Sequence, residues 1–93
     1  MTNSKEFLAA ASIIRKLKET PLDSELLFLY GLYKQATYGN NTNTCPSIFN
    51  YKNVQKWKSW KSNEGLTTYE AEVKYITFVN DLIKKYGVII EKI

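Results

Sequence analysis

The sequence predicts an all-α fold, a bundle of four helices, from three observations. Apolar residues recur at spacings of three and four in several segments, the period of a helix with one buried face. Segments rich in proline, glycine, asparagine or threonine separate these stretches. Strand-like alternation is confined to the tail, residues 88–90. The 93 residues suffice for one domain and not for two, so we expect a single domain over residues 1–93.

The first helix is predicted over residues 4–18. Its apolar residues form one stripe and are Phe7, Ala10, Ala11, Ile14 and Leu17. Pro21 ends this segment, because the residue before a proline is pushed out of helical geometry. Asp23 is then expected to cap a second helix over residues 24–38. That helix is apolar over more than half of its circumference, so it needs cover on two sides.

The second half of the chain predicts a loop and two more helices. Residues 39–47 are polar and rich in turn formers, which predicts an exposed loop. A third helix is expected over residues 51–61, with Trp57 and Trp60 interpreted as core anchors. The fourth helix should begin at a capping box formed by Thr67 and Glu70.

The fourth helix is expected to run to Tyr86, where Gly87 can close it. Its inward stripe consists of Ala71, Tyr75, Ile76, Val79, Leu82, Ile83 and Tyr86. The tail that follows, with Val88, Ile89, Ile90 and Ile93, is expected to pack on the bundle.

The composition argues against catalysis. The chain has no histidine, so it lacks the commonest general base and metal ligand, and we expect neither enzymatic activity nor a cofactor or metal. Cys45, the single cysteine, is expected to be a passive loop thiol. The first residues lack the pattern of a secretory signal, and no apolar stretch approaches the roughly 20 residues that span a bilayer. A cytoplasmic protein is therefore expected.

Positive charge is concentrated in the middle third of the chain. The net charge is +4, yet the segment between Leu26 and Asn63 has no acidic residue at all. It contains five lysines: Lys34, Lys52, Lys56, Lys58 and Lys61. This distribution predicts an anionic partner.

One face of the second helix could meet such a partner. Tyr30, Tyr33, Lys34 and Thr37 follow helical spacing, so two phenols and an ammonium project together. Such a face can stack on a base and neutralise a phosphate, although spacing alone favours a tyrosine-rich core seam with a snorkelling lysine. Two partners fit lysines interleaved with aromatics: nucleic acid or a nucleotide-bearing metabolite. The basic residues form no long track, so the compact metabolite is favoured.

The chain also resembles a known family. The run Leu29-Tyr30-Gly31-Leu32-Tyr33-Lys34-Gln35-Ala36-Thr37, then Lys56-Trp57-Lys58-Ser59-Trp60, then Gly65-Leu66-Thr67, Glu70-Ala71 and Tyr75-Ile76 is similar to the acyl-CoA-binding protein family. The similarity extends over roughly residues 7–86, and this combination of motifs is highly specific.

The resemblance implies an up-down-down-up four-helix bundle that binds medium- to long-chain fatty acyl-CoA with high affinity and carries it without chemistry. It implies that Tyr33 stacks on adenine, that Tyr30, Lys34 and Lys56 hold the ribose 3′-phosphate, and that Tyr75 lines the channel. Leu27 would contact the acyl chain. The remaining members of the predicted site are Arg15, Gly31, Leu32 and Lys52.

The expected partner is thus the acyl-CoA ligand of a monomer, without nucleic acid and without stable membrane insertion, although transient membrane contact is compatible with this role. The alternative is a small basic helical module that binds nucleic acid or another protein. Three positions depart from the family pattern: Asn40 replaces a usual aspartate, Cys45 a frequently basic residue, and Val54 a frequent lysine. Two charge contacts are missing as a result.

Overall fold

Four α-helices make up most of residues 3–89, the part of the chain that the computed structural model describes. They are α1 (Lys5–Ile13), α2 (Asp23–Tyr38), α3 (Tyr51–Lys61) and α4 (Thr68–Tyr86). The all-helical prediction is confirmed for these residues. The first helix is shorter than predicted, because the chain tightens into a 3-10 turn over Ile14–Lys16 and becomes extended at Leu17. No described helix has the length and apolar character needed to cross a membrane.

The start of α2 differs from the prediction. Leu22 occupies the cap position, and Asp23 is already the first helical residue, so the expected Asp23 cap is wrong. The carboxylate of Glu25 closes this end instead, since it accepts a hydrogen bond from the Leu22 N–H at 2.9 Å. A negative charge in the first turn also lies favourably at the positive end of the helix dipole.

Both ends of α4 agree with the prediction. The Thr67 hydroxyl accepts from the Glu70 N–H at 3.1 Å, and the Glu70 carboxylate accepts from the Thr67 N–H at 2.9 Å. These two bonds satisfy N–H groups that the helix itself leaves without partners. Gly87 closes the other end at a φ of 75°, in the region that favours glycine.

The hydrophobic core lies where α1, α2 and α4 meet. Its fully buried members are Phe7, Ala10, Leu17, Leu29, Leu32, Ala36, Ala71, Tyr75, Val79 and Leu82. The stripes predicted for the first and fourth helices are confirmed, because their remaining residues, Ala11, Ile14, Ile76, Ile83 and Tyr86, pack against this core.

The third helix packs against α2 and contributes no fully buried residue. The interpretation of Trp57 and Trp60 as core anchors is therefore wrong, since both are half-buried. Their indole N–H groups donate to the carbonyls of Asn43 and Gly39, each at 2.8 Å. The two tryptophans thus attach the loop over residues 39–50 to α3.

That loop is largely exposed, as predicted, but one of its residues is not. Asn41 is buried, donates to the Trp57 carbonyl at 3.2 Å and accepts from the Asn43 N–H at 2.9 Å. A buried amide with these partners fixes the path of the loop beside α3.

The tail packs on the bundle at Val88, whereas the Ile89 side chain is 54% exposed, so the packing prediction is confirmed for Val88 and wrong for Ile89. Val88 forms an antiparallel bridge with Leu17, and the Ile89 N–H donates to the Lys16 carbonyl at 2.8 Å. Val88 also packs against the core. Ile90 and Ile93, for which packing was also predicted, lie outside the described residues.

Candidate ligand-binding site

Two grooves on one side of the bundle meet at Tyr30 and Lys56. The larger has a volume of about 510 Å³ and lies between the first half of α2 and the start of α3. Its lining is Asp23, Leu26, Leu27, Tyr30, Tyr51, Lys52, Gln55 and Lys56. The leucines and tyrosines give this groove apolar walls, while its two lysines provide positive charge.

The smaller groove, of about 210 Å³, lies between α3 and the loop that precedes it. Its lining is Tyr30, Asn43, Thr44, Pro46, Asn53, Lys56, Trp57 and Trp60. Amide and hydroxyl groups beside two indoles suit a planar polar group. The side chains of Tyr30 and Lys56 therefore stand between an apolar compartment and a polar one.

Two ammonium groups lie near the ring of Tyr30. The Nζ atom of Lys34 is 5.9 Å from the ring centroid, and that of Lys56 is 5.4 Å from it. Lys34 is also 4.6 Å from the Tyr38 ring and 5.5 Å from the Trp60 ring. Aromatic faces attract cations, so these rings hold the ammonium groups in place. The N–H groups of the two lysines can still donate hydrogen bonds to a ligand. We call Tyr30, Lys34 and Lys56 the cation clamp.

A second group of predicted site residues lies one turn further along α2, toward α1 and α4. Tyr33 stacks on Phe7 with ring centroids 5.6 Å apart, and its ring is 6.2 Å from that of Tyr75. Tyr33 is 38% exposed although it is stacked, so a ligand can reach it. Neither Tyr30, which is half-buried, nor Tyr33 is a buried core residue, so the interpretation of these tyrosines as a core seam is wrong, although Tyr33 stacks on the core residue Phe7.

The buried Tyr75 forms the inner wall of this second group. Burial raises the pKa of its phenol to about 12, with a further increase from Tyr33 and a decrease from the positive charge of Arg15. The phenol is thus neutral at physiological pH. Arg15 is exposed in the 3-10 turn that follows α1 and lines neither groove.

The other predicted site residues occupy different places. Leu27 and Lys52 line the larger groove. Gly31 and Leu32 are both buried. Gly31 packs against Ser59, and Leu32 lies in the core with 0% of its surface exposed. Neither residue lines either groove, and both pack α2 against its neighbours. The Thr37 hydroxyl donates to the Tyr33 carbonyl at 2.8 Å.

Several lining residues were absent from the predicted site. Leu26 is one turn before Tyr30 on α2, and Tyr51 and Gln55 directly precede Lys52 and Lys56 on α3. Helical spacing could have identified Leu26, four residues before Tyr30, and Gln55, three residues after Lys52, but it does not identify Tyr51. Asn53, one turn before Lys56 on α3, is found in the same way. Asn43 and Thr44 could not have been found from spacing, because their position depends on the loop path that Asn41 and the tryptophans fix.

Comparison with known proteins identifies the family. Residues 4–79 match the family described as Acyl CoA binding protein. The chain belongs to the acyl-CoA-binding protein family. It is 45% identical over 84 residues to acyl-CoA-binding protein 2 of Saccharomyces pastorianus, which covers 90% of this chain and 97% of that protein. It is 42% identical to acyl-CoA-binding protein homolog 1 of Caenorhabditis elegans, over 84% of this chain and 91% of that one.

The fold is likewise that of the acyl-CoA-binding protein family. The crystal structure of acyl-CoA-binding protein 2 from Oryza sativa matches with a TM-score of 0.83 and 43% identity, over 87% of this chain and 88% of that chain. The family match gives no support to the alternative of a nucleic-acid or protein-interaction module.

Among residues 3–89, no cluster of His, Cys, Asp or Glu could hold a metal ion.

One departure from the family pattern has a structural role here. The Oδ1 atom of Asn40 accepts hydrogen bonds from the Gln35 side-chain amide and from the Gly65 N–H, both at 2.9 Å. An amide oxygen can serve these two donors as a carboxylate oxygen would. Asn40 therefore links the end of α2 to the start of the α3–α4 connection without a negative charge.

Proposed function

We propose that this protein binds medium- to long-chain fatty acyl-CoA and carries it as a monomer in the cytoplasm, without chemistry on the ligand. The main support is that an apolar groove and a polar groove meet at the cation clamp. An acyl-CoA molecule has the same division, since an apolar chain is joined to a phosphorylated nucleotide. The relatives that this chain resembles are acyl-CoA-binding proteins, in agreement with this assignment.

The nucleotide end of the ligand is assigned to the cation clamp and to Tyr33. In this assignment Lys34 and Lys56 donate to the 3′-phosphate, and the exposed part of the Tyr33 ring stacks on adenine. Ammonium groups that are already held over the Tyr30 ring lose little freedom when they bind a phosphate. Arg15 and Lys52 add positive charge on either side.

The acyl chain is assigned to the larger groove beside Leu26 and Leu27, with Tyr75 near the middle of the ligand. Burial of apolar chain contributes roughly 0.8 kcal/mol per methylene, which for about sixteen carbons is on the order of 12 kcal/mol before binding costs. A lysine–phosphate hydrogen bond adds roughly 1.5 to 3 kcal/mol, less where solvent screens it. The chain therefore supplies most of the affinity, and the headgroup supplies orientation and selectivity.

Residues 1–93 act as one domain in this proposal, and nothing in the site is arranged for covalent catalysis. The role is to keep a poorly soluble thioester in solution and release it intact. Because such esters also partition into membranes, a carrier of this kind makes transient contact with lipid surfaces.

Calorimetric titration with palmitoyl-CoA, palmitate and coenzyme A tests the proposal. We expect palmitoyl-CoA to bind far more tightly than either of the other two, because each of them fills only one of the joined grooves. Equal affinity for palmitate and its thioester would overturn the assignment. Incubation followed by mass spectrometry should recover the thioester unhydrolysed, and its hydrolysis would contradict the carrier role.

A further inference from the structure

Two large apolar side chains stand at the tip of the loop that leads into α3. Ile48 is 82% exposed and Phe49 is 94% exposed. They occupy the centre of a turn that is closed by a 2.9 Å hydrogen bond from the Asn50 N–H to the Ser47 carbonyl. Turn centres usually hold Gly, Pro, Asn, Asp or Ser, so an Ile–Phe pair at this position has no explanation in the turn itself.

The turn is firmly attached to the helix that follows it. The Asn50 side chain caps α3 by accepting from the Asn53 N–H at 3.4 Å, and the Phe49 N–H donates to the Ser47 hydroxyl at 3.3 Å. These bonds hold the two side chains away from the bundle. Tyr51, the first residue of α3, is also 71% exposed. We call Ile48, Phe49 and Tyr51 the apolar tip.

Positive charge follows the apolar tip along the chain. Lys52, Lys56 and Lys58 are exposed on α3, and the chain has no acidic residue between Leu26 and Asn63. Exposed apolar side chains next to lysines are typical of surfaces that bind the boundary between acyl chains and anionic headgroups. An anionic bilayer complements both the apolar side chains and the lysines.

We propose that the apolar tip docks this protein on anionic lipid bilayers, with Ile48 and Phe49 in the headgroup boundary and the lysines of α3 facing the lipid phosphates. Tyr51 and Lys52 also line the larger groove. Docking therefore brings the mouth of that groove to the membrane surface. This consequence rests on the proposed function, because only an acyl-CoA carrier gains from loading its groove there.

The test is co-sedimentation of the protein, without acyl-CoA, with vesicles of phosphatidylcholine and phosphatidylserine. The double variant I48S/F49S should lower the partition coefficient at least about tenfold, the order expected when two large apolar side chains lose their burial. The matched control Y69S/V73S removes two exposed apolar side chains from α4 that line neither groove. This control should bind the vesicles as the parent does. Binding of the parent should weaken in vesicles of pure phosphatidylcholine and in high salt.

Three results would overturn the proposal: no binding of the parent to anionic vesicles, unchanged binding of I48S/F49S, or equal losses in both double variants. The first of these would leave a protein partner as the occupant of the tip. Circular dichroism establishes that each variant is folded. Ile48 and Phe49 line neither groove, so I48S/F49S should keep its palmitoyl-CoA affinity in solution while it extracts the ligand from vesicles more slowly. The two proposals are tested separately. A parent that fails to bind palmitoyl-CoA contradicts the proposed function, and a parent that fails to bind anionic vesicles contradicts the docking proposal.

Discussion

Gly31 of α2 and Ser59 of α3 lie so close together that a side chain at position 31 would overlap the Ser59 carbonyl and hydroxyl. The Ser59 hydroxyl also donates to the Leu27 carbonyl, one turn before Gly31. Because α3 packs on α2, this contact determines how far the two helices stand apart. The same separation determines the width of the larger groove, which lies between them.

Gly31→Ala should therefore destabilise the protein by about 1 to 3 kcal/mol, the usual cost of inserting a methyl group into a closely packed contact. The sign is informative, because Gly→Ala at an exposed helical position stabilises a protein by roughly 0.5 to 1 kcal/mol. Urea unfolding monitored by circular dichroism measures the change. A neutral or stabilising result would contradict the packing role assigned to Gly31.

The acid stability of the protein should depend on Glu25. Hydrogen bonds from Tyr86 and Lys85, and from the Leu22 N–H, lower the pKa of this carboxyl from 4.5 to about 2. The carboxylate thus favours the folded state above pH 4.5, and this contribution is lost as the pH falls toward 2. Through its bonds with Lys85 and Tyr86, the Glu25 carboxylate links the start of α2 to the end of α4.

Glu25→Gln should be less stable than the parent at neutral pH, and the difference should shrink between pH 4.5 and 2. Denaturant unfolding of both proteins over this range measures it. Glu64→Gln is the matched control, since Glu64 forms an exposed pair with Lys61 three residues away. Exposed ion pairs of this kind contribute little to the free energy of unfolding. A Glu25→Gln difference that does not vary with pH would exclude a charge-dependent role.

Leu27→Ala should weaken binding of palmitoyl-CoA by about 1 to 2 kcal/mol, because it removes apolar wall from the larger groove. The effect should disappear for acetyl-CoA, which has too short a chain to occupy that groove. Leu22→Ala, at an exposed position that lines neither groove, is a control of the same size. Equal losses for both ligands would place Leu27 away from the acyl chain.

Much of the fold could be predicted because local signals and tertiary packing agree. The Thr67–Glu70 capping box and the apolar stripe of α4 depend on residues close in the sequence, and both are confirmed. The cap of α2 was assigned to Asp23 because a short acidic residue after Pro21 is a common cap. Glu25 performs that role because it also bonds with Lys85 and Tyr86, some sixty residues away.

The site was harder to predict because side-chain exposure depends on how helices pair. Helical spacing groups Tyr30, Tyr33 and Lys34 on one face but favours a core seam, because spacing alone does not distinguish a face toward the core from a face toward solvent. Trp57 and Trp60 were expected in the core because they are large and apolar, yet each satisfies its indole N–H on the loop. Long-range hydrogen bonds of this kind leave no periodic pattern in the sequence.

In the proposed site the cation clamp holds the 3′-phosphate of acyl-CoA, and a calorimetric cycle with two ligands measures this interaction. Palmitoyl-CoA and palmitoyl-dephospho-CoA, which lacks the 3′-phosphate, are titrated into the parent, Lys34→Ala, Lys56→Ala and the control Lys58→Ala. Lys58 is exposed on α3 and lines neither groove. Circular dichroism should show unchanged helix content in all three variants.

We expect Lys34→Ala and Lys56→Ala each to weaken binding of palmitoyl-CoA by about 1.5 to 3 kcal/mol, with the smaller loss at the more exposed Lys56. Their effect on the dephospho ligand should be close to zero, and Lys58→Ala should change neither affinity. Losses of the same size for both ligands, or no loss for either, would show that the cation clamp does not hold the 3′-phosphate.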